Sequence, residues 1–185
     1  MYTRNEPEKI FSNHEEDSVY YDVIMAGFGG QGIQIISQVL VVAAINKGLE
    51  VTYLPSYGVE KRGGRTNVTV MVSDEEIGSP VTGHPCAVIA MDKIALDQYQ
   101  DMVQDNGLLI ANTSLIDPSD IKNGKHSTLH LKCNEEAVSM GNPRLANMLA
   151  LGALLTTTSF INFDDISKSL EEVIFFDDDF YNQNN

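Results

Sequence analysis

The sequence predicts an α/β fold, a doubly wound, mainly parallel sheet with helices on both faces. Three observations predict it. An apolar run over residues 20–26 passes through a cluster of glycines into an apolar helix. Short apolar runs then recur, separated by helical or polar stretches. The length of 185 residues suits one domain, on the usual scale of about 150 residues each.

Residues 1–18 are polar and charged, with Glu15, Glu16 and Asp17 just before the first strand. They read as an N-terminal extension that a partner or neighbouring chain would order. Residues 19–174 read as a single domain and residues 175–185 as an acidic C-terminal tail.

The first strand centres on residues 23–26, preceded by Tyr20 and Tyr21, and its apolar continuity predicts burial on both faces. Gly27, Gly29 and Gly32 follow with the spacing G-x-G-x-x-G, and Gly30 adds a further residue without a side chain. This is the strand-turn-helix signature of Rossmann-like folds. Such glycines permit a sharp turn and a close backbone approach, and the helix N-terminus beyond them favours an anion. Gln31 sits inside the turn. Ile33, Ile36, Leu40, Ala43 and Ala44 recur at helical spacing, and Lys47-Gly48 supplies the C-cap.

Alone, the glycine pattern is a weak signal, because close packing also explains it. A dinucleotide site needs an acidic residue at the end of the second strand, about 20 residues on. Here that strand, residues 51–54, ends in Pro55-Ser56-Tyr57, and Glu50 stands at its other end. A plain NAD site is disfavoured.

The next stretch, residues 55–65, is a loop dense in glycine and charge. Tyr57, Glu60, Arg62, Gly63, Gly64 and Arg65 lie within nine residues, and arginines of this kind grip carboxylates or phosphates through paired contacts. Ligands bind at the strand C-terminal edge of such sheets, which favours function over a plain solvated loop. Glu60 pairing internally with Arg62 or Lys61 is the alternative.

Residues 66–72 alternate Val68, Val70 and Val72 with Asn67, Thr69 and Met71, which predicts a strand with one wetter face. A polar turn follows, with a short strand near Ile77. Residues 87–91 form another apolar strand ending at Asp92, then a helix over residues 93–103, then a strand over residues 108–111. Residues 116–125 read as loop, 127–132 as a strand and 135–140 as a short helix. Residues 144–155 form a helix apolar nearly all round, which belongs in a core or against another subunit. Asn147 inside it needs hydrogen-bond partners, and Gly152 would permit close helix packing. Asp164 and Asp165 would cap a last helix running to about Val173.

Twelve basic residues against 26 acidic ones give a formal net charge of −14, which disfavours nucleic acid and anionic membranes as partners. No apolar run approaches the roughly 20 residues of a membrane span, and the N-terminus lacks a signal-peptide basic region, so the expected location is cytoplasmic. Cys86 and Cys133 are too few for an iron–sulfur cluster, which takes about four thiolates. Cys86 reads as a small buried residue. His14, His84, His126 and His130 lack the spacing of a metal site.

Together GFGGQG at residues 27–32, PSYGVEKRGG at 55–64, SDEEIGSP at 73–80 and GNPRLANMLALGALL at 141–155 form an ordered set. The set resembles the gamma subunit of the 2-oxoacid:ferredoxin oxidoreductases, the family of the pyruvate, 2-oxoglutarate, branched-chain and indolepyruvate enzymes. The match runs over residues 20–173 and departs at Val59, where family loops usually carry proline.

The resemblance implies a role in oxidative decarboxylation of a 2-oxoacid to an acyl-CoA. The chain lacks the thiamine diphosphate motif and the cluster cysteines, so thiamine diphosphate, magnesium and iron–sulfur clusters are expected on partner subunits, with none bound by this chain alone. The implied partners are alpha and beta subunits, in some members a delta subunit, and indirectly ferredoxin or another acceptor; the isolated chain could also form a homodimer. The gamma domain is expected to pack on the alpha subunit and to help close the active site or bind coenzyme A. The segments expected to do so are Gly27, Gly29, Gly30, Gln31 and Gly32, with Tyr57, Glu60, Arg62, Gly63, Gly64 and Arg65. No catalytic or metal-ligating residue is expected here. A small separate gamma chain favours 2-oxoglutarate as the substrate. The alternatives are an assembly scaffold without a ligand, and an independent nucleotide-binding oxidoreductase, which the missing ribose carboxylate disfavours.

Overall fold

A computed structural model describes residues 18–57 and 64–183, with Tyr57 and residues 175–183 described through their backbone alone. Residues 1–17 of the N-terminal extension and Gly58, Val59, Glu60, Lys61, Arg62 and Gly63 lie outside the described residues.

The first strand, β1 (Tyr20–Phe28), is buried from Tyr21 to Gly27. That is the expected signature of a central strand covered on both faces. Its side chains divide the interior in two. Tyr21, Val23 and Met25 face one apolar cluster, and Ile24 and Ala26 face the other.

Helix α1 (Ile33–Asn46) buries Ile33, Ile36, Leu40, Ala43 and Ala44, the positions its periodicity marks. It ends at Lys47 and Gly48, where φ is +76°. Strand β2 (Glu50–Tyr57) runs three residues beyond the expected end. Pro55 is tolerated there because β2 is an edge strand among the described residues, paired with β3 alone.

Strand β3 (Arg65–Ser73) returns antiparallel to β2 and also pairs antiparallel with β1, from Tyr20 opposite Ser73 to Phe28 opposite Arg65. Val68, Val70 and Val72 are buried, and Asn67 and Thr69 are half-buried on the wetter side. Strands β4 (Ala87–Ala90), β5 (Leu108–Asn112) and β6 (Ser127–Leu131) then add in parallel on the other side of β1. The order is β2-β3-β1-β4-β5-β6. The sheet is mainly parallel as expected, with β3 as the reversed strand. No strand forms near Ile77.

Helices cover both faces. Helix α1, with α4 (Ala146–Leu155) and the start of α5 (Phe163–Gln183), packs on the first cluster, while α2 (Lys93–Tyr99), continued by a 3-10 turn, packs on the second. Helix α3 (Cys133–Ser139) leads into α4. The cap of α5 differs from expectation. Asn162 Oδ1 accepts from the Asp165 amide at 2.9 Å, and Asp165 Oδ2 accepts from the Asn162 amide at 3.0 Å. This reciprocal pair is a capping box led by Asn162. The helix also continues to Gln183, well past Val173, so no break in backbone separates the domain from its tail.

Gly152 makes no close approach among the described residues. A Cβ there would meet the Phe163 ring at 3.9 Å, an ordinary contact.

Candidate functional site

The chain leaves β1 toward α1 on one side and, further along, enters β4 on the other. The two strands are adjacent and parallel, so the order of the sheet reverses between them, and ligands bind at such switch points. The C-terminal edge of the sheet there gathers the glycine turn, Met91 after β4, and Arg65 at the start of the reversed strand.

The glycine turn is tightly bonded. The Gly29 amide donates to the Gly64 carbonyl at 2.9 Å, and the Gln31 amide donates to the Phe28 carbonyl at 3.2 Å. The Gln31 side chain is engaged at both ends: Oε1 accepts from the Phe28 amide at 2.8 Å and Nε2 donates to the Met91 carbonyl at 3.1 Å. Gly30 and Gly32 have φ of +99° and +73°, a region that L side chains rarely adopt. Gly32 also stands at the N-cap of α1 and, having no side chain, leaves the opening amides of the helix without a side-chain cap.

Two of the motif glycines have packing reasons. A Cβ on Gly27 would lie 2.2 Å from Gln31 Oε1, and one on Gly32 would lie 2.2 Å from Asn147 Nδ2. Asn147, whose burial called for partners, donates to the Gly32 carbonyl at 3.0 Å and accepts from the Met148 amide at 2.8 Å.

Of the residues the sequence singled out, the structure therefore brings together Gly27, Gly29, Gly30, Gln31, Gly32, Gly64 and Arg65. The backbone of Tyr57 pairs with Thr66 at the same end of the hairpin. Glu60, Arg62 and Gly63 lie outside the described residues.

On the α2 side of this edge lies a cleft of about 380 Å³, bordered by Arg65, Asn67, Asp92, Lys93, Gln98 and Tyr99. The sequence reading did not single out the last five as site residues. One signal was available: Asp92 directly follows a buried strand and precedes a helix, the position of an N-cap, and its Oδ1 accepts from the Ala95 amide at 2.8 Å.

Lys93 is bound to Asp97 at 2.5 Å and reaches Asp120 at 3.8 Å, and Asp97 is the main reason its pKa is held above the usual lysine value. Burial pushes the Tyr99 hydroxyl up, and the nearby Arg65 guanidinium pulls the other way. Arg65 is exposed and has no ion pair among the described residues. Lys93, the other cation bordering the cleft, is paired with Asp97.

Cys86 and Cys133 are both free and buried. Burial pushes their thiols up, to about 12 and about 11. Such thiols are poor thiolate ligands, and two cannot supply the roughly four that a cluster takes. The residues of this chain do not fit an iron–sulfur centre. Among the described residues no group of three His, Cys, Asp or Glu side chains is placed to hold a metal ion, and no helix is long and apolar enough to cross a membrane.

Comparison with known families decides the identity. The family model described as pyruvate ferredoxin/flavodoxin oxidoreductase matches residues 22–184. The chain belongs to this family.

As a member of the pyruvate ferredoxin/flavodoxin oxidoreductase family, it is similar to ketoisovalerate oxidoreductase subunit VorA of Methanothermobacter thermautotrophicus, at 32% identity over 133 residues. That match takes in 72% of this chain and 27% of the relative, so the chain spans about a quarter of that longer protein. It is 33% identical over 149 residues to 2-oxoglutarate synthase subunit KorC of Methanothermobacter marburgensis, covering 76% of this chain and 79% of the relative. Among solved structures, the gamma subunit of a keto/oxoacid ferredoxin oxidoreductase from Geobacter sulfurreducens superposes with a TM-score of 0.68 at 27% identity, covering 81% of this chain and 84% of that one. These relatives bear out the family resemblance that the four sequence motifs carry.

Proposed function

We propose that this chain is the gamma-type component of a 2-oxoacid:ferredoxin oxidoreductase complex. It packs against the alpha subunit, and its glycine-turn edge helps to bind coenzyme A or to close the active site. Alpha and beta subunits, with a delta subunit in some complexes, hold thiamine diphosphate, magnesium and the iron–sulfur clusters, which together decarboxylate the 2-oxoacid and pass electrons to ferredoxin or another acceptor. 2-Oxoglutarate is the favoured substrate, since a 2-oxoglutarate synthase subunit is among the relatives covered along most of both chains, at 33% identity.

The observation that carries this reading is the bond from the Gly29 amide to the Gly64 carbonyl at 2.9 Å. It ties the turn to the foot of the arginine-bearing segment, so both face one edge. There the Arg65 guanidinium and the Gly30 and Gly32 amides, which among the described residues are not spent as that of Gly29 is, suit phosphate oxygens at the mouth of α1. Arg62 would add to this charge.

The test is reconstitution with the partner subunits and measurement of the KM for coenzyme A with Arg62→Ala and Arg65→Ala. A rise of several-fold in KM, with assembly intact, is expected. An unchanged KM together with unchanged assembly would sink the proposal.

A second reading has its own support. Gly27 and Gly32 are each accounted for by an internal carboxamide, as a turn built only for packing would require. The chain would then be an assembly scaffold without a ligand. Titration of the full chain with coenzyme A separates the two, because a scaffold takes up no heat of binding yet still associates with its partners.

A further inference from the structure

Several elements meet at the glycine turn, and two side-chain amides join them. Gln31 reaches inward to the Met91 carbonyl at the end of β4. The same carbonyl accepts from Asn112 Nδ2 at 3.2 Å, and Asn112 is only 1% exposed. Asn112 Oδ1 accepts from the Ser114 amide at 3.3 Å and the Cys133 amide at 3.2 Å, so the link continues to the end of β5 and the start of α3. Asn147 holds the other side of the turn from α4, through the Gly32 carbonyl. That carbonyl also receives the Ile36 amide at 3.2 Å, which opens the hydrogen-bond ladder of α1.

The glycines are shaped to these amides, since a Cβ on Gly27 or Gly32 would displace one or the other. A carboxamide whose two ends are both engaged, in a part-buried setting, has one favourable orientation, and losing it leaves donors unpaired. The turn is thereby held in a single conformation, and the Gly29–Gly64 bond passes that constraint to the neighbouring segment.

We infer that Gln31 and Asn147 are positioning residues: their carboxamides clamp the glycine turn between β4 and α4 and so fix where Gly64 and Arg65 stand at the functional edge. This rests on the reading of that edge as the functional one.

The experiment combines backbone amide exchange, read by NMR on the full chain, with the KM for coenzyme A in the reconstituted complex. The variants are Gln31→Ala, Asn147→Ala and Gln31→Glu. In the alanine variants, exchange at Gly29 and Ile36 accelerates on the order of ten-fold, the effect of losing about one hydrogen bond locally. Ile89 and Ile110, in the core strands, keep their protection, and KM rises by a larger factor than kcat falls. Gln31→Glu retains an acceptor for the Phe28 amide and lacks a donor for Met91 when ionised. Its exchange relative to the unaltered chain therefore recovers as the pH is lowered and the carboxyl gains a proton.

Unchanged exchange at Gly29 and Ile36 in both alanine variants overturns the clamp. Faster exchange with a KM that moves only for Arg65→Ala overturns the positioning role. Faster exchange with a KM that no variant moves, Arg65→Ala included, keeps the clamp and discards the functional reading of the edge. Should Asn147→Ala fail to fold, Asn147→Asp removes the donor at nearly constant shape and is read the same way.

Discussion

Asn147 in α4 and Gly32 at the mouth of α1 stand 115 residues apart in the sequence and are joined by a hydrogen bond of 3.0 Å. This bond explains why a helix otherwise apolar nearly all round carries a buried amide, since Asn147 is 5% exposed and both its polar atoms are used. Replacing it with leucine preserves bulk and removes the pairing. Asn147→Leu is expected to lower stability by about 1–3 kcal/mol, the usual cost of unpaired buried polar groups. Urea denaturation of the full chain measures it, and a midpoint equal to that of the unaltered protein would refute the role.

Gly27 and Gln31 should show the opposite of independence. Gly27→Ala pushes a methyl to within 2.2 Å of Gln31 Oε1, in a site also confined by Met91 Cβ at 3.1 Å. In the natural background this costs about 1–3 kcal/mol, because the carboxamide must leave its two bonds. Once Gln31→Ala has removed the carboxamide, the severe 2.2 Å contact is gone and Met91 Cβ at 3.1 Å is the tightest remaining neighbour among the described residues. A double-mutant cycle should give a coupling on the order of 1 kcal/mol. Additive losses would mean that the glycine is required for another reason.

Much of this architecture is legible in the chain itself, and the gaps have physical causes. β1 and α1 announce themselves because continuous burial and a 3.6-residue period are local properties, and Asn147 advertises a need for partners without naming them. The reversal of β3 is not legible: Val68, Val70 and Val72 alternate in the same way whichever direction the strand runs. β2 extends through Pro55 because its edge position, set by the whole sheet, excuses a missing donor. Gln31 looks like a ligand-facing residue of the turn, yet its side chain is turned inward toward Met91, 60 residues away. Asn67, Gln98 and Tyr99 enter the cleft only through packing of α2 on the sheet, which spacing along the chain does not encode.

The two thiols supply a chemical prediction. Burial raises Cys86 to about 12 and Cys133 to about 11, so neither carries appreciable thiolate at pH 8 in the folded chain. Both should resist alkylation until denaturant is added and then react together. The linkage has a definite sign. The unfolded thiols titrate near 9 and the folded ones well above, so above pH 9 the unfolded state holds fewer protons and stability falls as pH rises. Mass spectrometry after a short iodoacetamide pulse reads the first effect. Rapid labelling of either cysteine without denaturant contradicts the burial.

His126 makes the complementary prediction on the acid side. Its Nε2 is enclosed and has no hydrogen-bond partner among the described residues, and its ring lies so close over Gly124 that a Cβ there would come within 2.3 Å of Cε1. Burial therefore lowers its pKa from 6.5, and the charge of Asp101 opposes the shift only in part. Below pH 6.5 the unfolded histidine takes up a proton that the folded one resists. The unfolded state then binds more protons, and stability falls as the pH drops. His126→Leu removes that penalty while keeping an apolar side chain over Gly124. Between pH 7.5 and pH 5.5 the natural chain should lose more stability than the leucine variant, as read from denaturation midpoints at each pH. Parallel curves for the two proteins would show that the proton enters without resistance, and that the enclosure of Nε2 does not persist in solution.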